Sequence, residues 1–344
     1  MKMGNKLNIL WIALLVGVLQ TACTADTEEP VCPPDRGEPV QVSFVMYKGS
    51  AVEEDVPEDA GAGTRATVTA TGAVDMAAGK IFRVYVYEAG STNWTTPVAT
   101  AEYTVQADGT ATGDMPLYRG QYDFYLFSFN SSTNTPSLSS GGVIDVYNGS
   151  DFMYNRLTGM TVQPGSAGAT MMQAPLTTPF KRMGTQVQIR VKAKDGGQPV
   201  PPTSLKVNNV KVEGLPEKLS FPLNGTTWNA AADYAGPGFQ YSGFTKNDYG
   251  VTEFRESSQE VLLPVNASAL LKFTVNLTVG YNDAGTNKTL TDDFEASILK
   301  EMKPGMKYVF DFTLTFYGVL DPSDLTLAVQ GYTEVELPSD EIGK

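Results

Sequence analysis

The sequence predicts an all-β protein made of two tandem β-sandwich domains behind an N-terminal export signal. Three observations carry this. Short segments of alternating apolar and polar residues recur along the chain. Gly, Asn, Asp, Ser and Pro separate them. Past the leader, no stretch has a convincing amphipathic helical period. The 344 residues give room for two ordinary domains with hydrophobic cores.

The leader comes first. "MKMGNK" carries Lys2 and Lys6, the apolar run Leu7–Leu19 follows, and it ends at "QTAC". A positive start, a short apolar run and small residues are the three parts of a secretory signal. The run is too short to span a bilayer. Cys23 directly after Thr21-Ala22 points to a bacterial lipoprotein signal: residues 1–22 removed between Ala22 and Cys23, and the Cys23 thiol lipidated. Gln20 stands where such signals usually have Leu. The alternative is an ordinary cleaved signal with an incidental cysteine. The acidic "TADTEE" after Cys23 resembles the surface-export signal of lipoproteins in some Gram-negative bacteria; a solvated tether is the other reading. Residues 24–39, rich in Pro and acidic groups, read as tether.

A lone strand is next. In "VQVSFVMY" (40–47), Val40, Val42, Phe44 and Met46 share one face. An acidic linker isolates it, ending "EEDVPEDAGAGTR", with the single Arg65 before Ala66. Such a linker has no hydrophobic anchor and is open to proteases. Taken alone, Arg65 also reads as one solvated side chain.

After Arg65 the pattern is β throughout. Strand-like segments are "KIFRVYVYEAG", "VATAEYTV", "YDFYLFSFN", "GGVIDVYN" and "ATMMQAPLT" in the first half. The second half has "MGTQVQIRVKA", "SLKVNNVKVEGL", "QEVLLPV", "LLKFTVNLTVGY", "KTLTDDFEASI", "KYVFDFTLTFY" and "DLTLAVQGYTEVEL". The joint falls near "TTPFKRMG" (177–184), giving domains 66–177 and 178–344, with residues 23–65 ahead of them.

Composition narrows the function. The chain has no histidine, which removes Ser-His-Asp and Cys-His catalysis and His-ligated metals. Its two cysteines, Cys23 and Cys32, both lie near the N-terminus, so no disulfide framework or thiolate metal site is built from them. The net charge of −13, without a basic cluster, argues against nucleic acid. Asp292-Asp293 are adjacent on a strand and point to opposite faces, unlike a catalytic carboxylate pair. "YNDAGTNKT" (281–289) lacks the spaced ligands of a calcium loop and reads as a hairpin turn. The aromatic runs "YDFYLF" and "YVFDFTLTF" read as core faces rather than a carbohydrate-stacking surface. The expectation is no enzyme, no cofactor and no metal.

In order and spacing the chain resembles the fimbrillin family, subunits of type V pili of Gram-negative bacteria. The pieces are Cys23, the strand 40–47, Arg65-Ala66, "KIFRVYVYEAG", "RGQYDFYLFSFN", "PFKRMGTQVQIRVKA", "MKPGMKYVFDFTLTF" and "LTLAVQGYTEV". Tyr332 stands where relatives often carry Trp. The resemblance implies two transthyretin-like β-sandwiches and assembly by strand exchange. A lipidated precursor reaches the outer membrane, an Arg-specific protease cuts after Arg65, and the first strand (Val40, Val42, Phe44) leaves. The C-terminal strand of another subunit then fills the groove. In the donor candidate 324–337, Leu325, Leu327 and Val329 share one face by period-2 counting; the other reading makes it the last strand of its own domain. Ten acidic and five basic residues lie in 1–65, so the processed chain would carry −8 and no cysteine. The partners implied are other pilus subunits, the outer membrane and the protease. Two other roles stay open: a non-polymerising surface lipoprotein that binds glycans or host ligands, and a pilus anchor or tip subunit.

Overall fold

The computed structural model describes residues 37–47, 76–139, 141–164, 170–198, 200–231, 233–316 and 325–336. For 316 and 325–336 it describes the course of the strand but not the side chains. Among these residues there is no helix; Glu38 onward forms one compact unit.

The first half contains β1 (Val40–Val45), β2 (Ile81–Glu88), β3 (Ala99–Val105), β4 (Thr110–Thr112), β5 (Pro116–Leu117), β6 (Gly120–Ser128), β7 (Val143–Tyr147), β8 (Met153–Val162), β9 (Met171–Pro175) and β10 (Lys181–Arg182). All but β7 form one nine-stranded sheet, ordered β10-β8-β6-β2-β3-β4-β1-β5, with β9 joined to β1. Strands four places apart in a flat sheet would lie roughly 19 Å apart. Yet Phe44 of β1 meets Phe124 of β6 at 5.9 Å between ring centres. The sheet therefore curls over itself and encloses its own core. Phe44, Phe82, Tyr103, Phe124 and Leu126 lie inside it.

The second half contains β11 (Thr185–Ala193), β12 (Pro202–Glu213), β13 (Lys218–Pro222), β14 (Phe239–Ser242), β15 (Arg255–Glu256), β16 (Glu260–Leu262), β17 (Leu270–Asp283), β18 (Thr286–Leu299), β19 (Met306–Phe316) and β20 (Leu325–Glu336). One sheet runs β15-β11-β19-β20 with β16 on β11; the other runs β14-β12-β17-β18. Their apolar faces pack together, with Phe273 of β17 at 4.9 Å from Phe310 and 5.1 Å from Phe312 of β19. Strict alternation in "FTVNLT" produces this: Phe273, Val275 and Leu277 point in, and Thr274, Asn276 and Thr278 point out. Arg190 of β11 pins the parallel register to β19 by a two-pronged bond to its opposite residue, Asp311, at 2.7 and 2.6 Å. Asp283 and Thr286 close the β17–β18 hairpin, with Ala284 and Gly285 at φ 48° and 87°. Positive φ at both central residues is the tight-hairpin geometry, and it makes "YNDAGTNKT" the turn its sequence predicts.

A third cluster joins the halves. β7 and β13 pair antiparallel, Ile144 opposite Phe221. Phe152, Phe221 and Trp228 pack with them, and the Trp228 indole N–H donates to Met183 O at 2.9 Å. Beside them, buried Arg182 pairs with buried Asp151 at 3.4 Å.

Candidate functional site

β1 lies in a slot with two walls. β9 runs parallel along one edge, Gln41 to Val45 facing Met171 to Pro175. β5 and β4 share the other edge, antiparallel, with Val40 opposite Leu117 and Phe44 opposite Ala111. Successive backbone groups point to opposite edges. The Gln41 N–H thus reaches Thr170 O at 2.8 Å, while the Val42 N–H reaches Met115 O at 3.1 Å. At the far end, the Met46 N–H donates to Gly109 O at 2.8 Å and the Leu176 N–H to Val45 O at 2.9 Å. Among the described residues β9 has no strand partner but β1, so β1 is what ties it into the sheet.

The inward face is apolar and fully enclosed. Val40, Val42, Phe44 and Met46 are buried, Val42 and Phe44 at 0% exposure. The Phe44 ring stands edge-on to Tyr103 at 4.9 Å and to Phe82 at 5.9 Å. The Tyr103 hydroxyl donates to Val42 O at 2.6 Å. Burial, with the Asp114 charge adding, holds this phenol well above the ordinary tyrosine range. It therefore keeps its proton and its donor role at neutral pH. On the outward face, the Gln41 amide donates to Gly113 O and to Asp114, both at 3.1 Å. Burying one such apolar side chain stabilises by about 1.5–3 kcal/mol, so the four together contribute about 6–12 kcal/mol. That rivals the whole stability of an ordinary domain.

Residues 46–80 separate β1 from β2. Arg65 and Ala66 fall between 48 and 75, outside the described residues, as do Ala22 and Cys23.

β20 has a different setting. It pairs antiparallel with β19 and forms the end of its sheet's order. Leu325, Leu327 and Val329 stand opposite Phe316, Leu314 and Phe312. The structure thus gathers Val40, Val42 and Phe44 in the first-half slot and sets the three C-terminal positions on a sheet edge of the second half. The slot's walls were not foreseen as walls. Tyr103 was visible only as part of a strand, because its partner Val42 lies 61 residues away.

Asp292 and Asp293 are engaged in local surface bonds. Asp293 accepts from the Asn276 amide at 2.6 Å, and Asp292 from the N–H of Asp293 at 2.9 Å, both at the surface. Among the described residues, no group of three or more Cys, Asp or Glu side chains is placed to hold a metal ion.

The sequence model of the fimbrillin-like family matches residues 64–329. The chain belongs to the fimbrillin-like family. Membership makes it a pilus- and adhesion-related protein of the cell surface. In this fimbrillin-like chain the matched span opens one residue before Arg65, so β1 lies ahead of it. No curated protein matches the sequence. Among solved structures, the fold is similar to that of a proposed cell adhesion protein from Bacteroides fragilis, at 15% identity and a TM-score of 0.51, over 86% of this chain and 98% of that one. A likeness also extends to the fimbrial anchor protein Mfa2 from Porphyromonas gingivalis, at 12% identity and a TM-score of 0.43, over 88% and 99% of the two chains. The C-terminally truncated tip fimbrial protein Mfa3 from the same organism follows, at 10% identity and 0.38, over 87% and 99%.

Proposed function

We propose that this chain is a structural subunit of a cell-surface pilus that serves adhesion. It is exported as a precursor lipidated at Cys23, cut between Arg65 and Ala66, and polymerised by strand exchange. On this reading the two transthyretin-like sandwiches are residues 66–177 and 178–344, with β10 reaching back onto the first-half sheet. The observation that carries this reading is the two-walled slot of β1. A strand this deeply buried, covalently tied to the strands that follow only through a long acidic linker, becomes a removable insert once that linker is cut. Its departure would leave two unpaired sheet edges and an apolar trench, which another chain's strand can complete. The β20 strand, held on one edge, is the donor. A donor contact of this kind runs head to tail and extends into a filament.

One observation favours the runner-up. β20 pairs with β19 of its own chain along its full length, as it would in a surface lipoprotein that does not polymerise.

Peptide mapping of filaments from cells producing the chain tests the proposal. Assembled subunits are expected to begin at Ala66 and to lack "VQVSFVMY". Filaments that retain that peptide overturn the processing step. Arg65→Ala is expected to yield a folded, unassembled monomer, because β1 still fills the slot. Cys23→Ser is expected to abolish labelling of the precursor by a palmitate analogue.

A further inference from the structure

A second feature of the fold is unrelated to strand exchange. Where the two halves meet, an open pocket of about 570 Å³ is lined by Tyr154, Arg156 and Lys181 of the first half and by Thr226 and Gly305 of the second. That volume falls within the range of small-molecule sites. Lys181 sits opposite Tyr154 in the β8–β10 ladder, and Arg156 lies two residues along β8. Opposite positions and positions two apart share one face of a sheet. Both cations therefore project to the side of the Tyr154 ring.

Charge makes the pocket specific. Arg156 and Lys181 are exposed, and neither has an ion-pair partner among the described residues. The third cation of the lining, Arg182, is paired with Asp151. Among the described residues no Asp or Glu lines the pocket, although the chain as a whole carries −13. A cation-only cleft in an acidic protein concentrates anions locally. Around the two charges, Thr178 and Thr226 supply exposed hydroxyl groups, while the buried Asn155 amide is taken up by Thr178 O and the Arg156 N–H. Such a rim suits a ligand that bears hydroxyls of its own as well as a charge.

We infer that this pocket binds the terminal acidic residue of a glycan, its carboxylate or sulfate held by Arg156 and Lys181 and its hydroxyls by Thr178 and Thr226. The open mouth leaves the rest of the saccharide in solvent. Arg156 presents a flat fork suited to two oxygens of one anionic group, and Lys181 adds a point charge.

Titration calorimetry of the purified full chain is the test. Its arms are carboxylated oligosaccharides, sulfated oligosaccharides, their neutral counterparts and a Glu-rich peptide. One or both acidic sugars are expected to bind, more weakly as salt rises, with the neutral forms at least about tenfold weaker. The arm that binds identifies the anion. Arg156→Ala and Lys181→Ala are each expected to weaken binding about tenfold, with an unchanged melting temperature. Lys206→Ala, away from the pocket, is expected to change nothing. Absence of binding by either acidic sugar overturns the inference. So does binding that survives both pocket substitutions, or a preference for the acidic peptide.

Discussion

β1 and β20 are the first and last strands of the described chain, and they are held in opposite ways. β1 is paired along both edges, and its inward face sits at the centre of a core. β20 is paired along one edge, at the end of its sheet's order. Withdrawing β1 would expose four buried side chains and two strand edges at once. Withdrawing β20 breaks one ladder and leaves β19 still paired to β11. The number of paired edges differs accordingly: removing β1 frees strand edges on both of its sides, and removing β20 frees one. On the proposed mechanism this asymmetry separates acceptor from donor within one chain.

The sharpest way to break that contrast is at Phe44. Its ring touches Phe82, Tyr103 and Phe124. Phe44→Ala leaves a cavity bounded by those rings and should cost about 3–5 kcal/mol in the precursor. Urea unfolding monitored by tryptophan fluorescence measures it. A loss below about 1 kcal/mol would mean that β1 is not integral to the precursor core.

Leu327→Asp probes the other strand. On a donor strand it should abolish filaments seen by electron microscopy, since insertion would bury an unpaired charge in a neighbour's slot. The monomer should still fold, export and be cut after Arg65, with its melting temperature lowered by less than about 5 °C. A larger drop would make β20 integral to its own domain and erase the difference from β1.

These two strands also show what the sequence made legible. The alternation of Val40, Val42, Phe44 and Met46 stands out in the sequence because one face is buried and the other is not, and the structure reproduces that pattern. The long strand β17 was legible for the same reason, with Leu271, Phe273, Val275 and Leu277 buried and the residues between them half-buried. β8 was not, because Asn155, Arg156 and Gly159 interrupt its apolar pattern, although β6 and β10 hold it from both sides. β4 and β5 are two or three residues long, too short for any period to show. The slot itself was beyond reach. Its walls, residues 110–117 and 171–175, approach β1 from far along the chain, and local alternation carries no record of which strand will be a neighbour. Arg255 was missed likewise. Fully buried, it donates to the carbonyls of Leu205, Tyr249, Gly250 and Glu253, and no local pattern marks that.

The smallest expected effect refines how β1 is held. Tyr103→Phe keeps the ring against Phe44 and removes the bond to Val42 O, leaving that buried acceptor without its donor. The cost should be about 1 kcal/mol, roughly a fivefold weaker hold on β1. The pH dependence identifies this bond. Burial raises the Tyr103 pKa in the folded chain above its ordinary value. Below about pH 10 both folded and unfolded chains keep the proton, and the contribution is complete. Above that, the unfolded tyrosine ionises first, the folded state binds more protons, and stability falls as pH rises. Tyr87, pushed up to about 12 by burial, contributes a parallel loss far from β1, with its hydroxyl on Trp94 O at 2.9 Å. The discriminating measurement therefore follows release of the β1 peptide from chain cut in the linker. In the parent chain, release should steepen above about pH 10. In Tyr103→Phe it should be faster at pH 7 and flatter with alkali. Identical alkaline profiles for the two chains would place the hold on β1 in its ladders and apolar face alone.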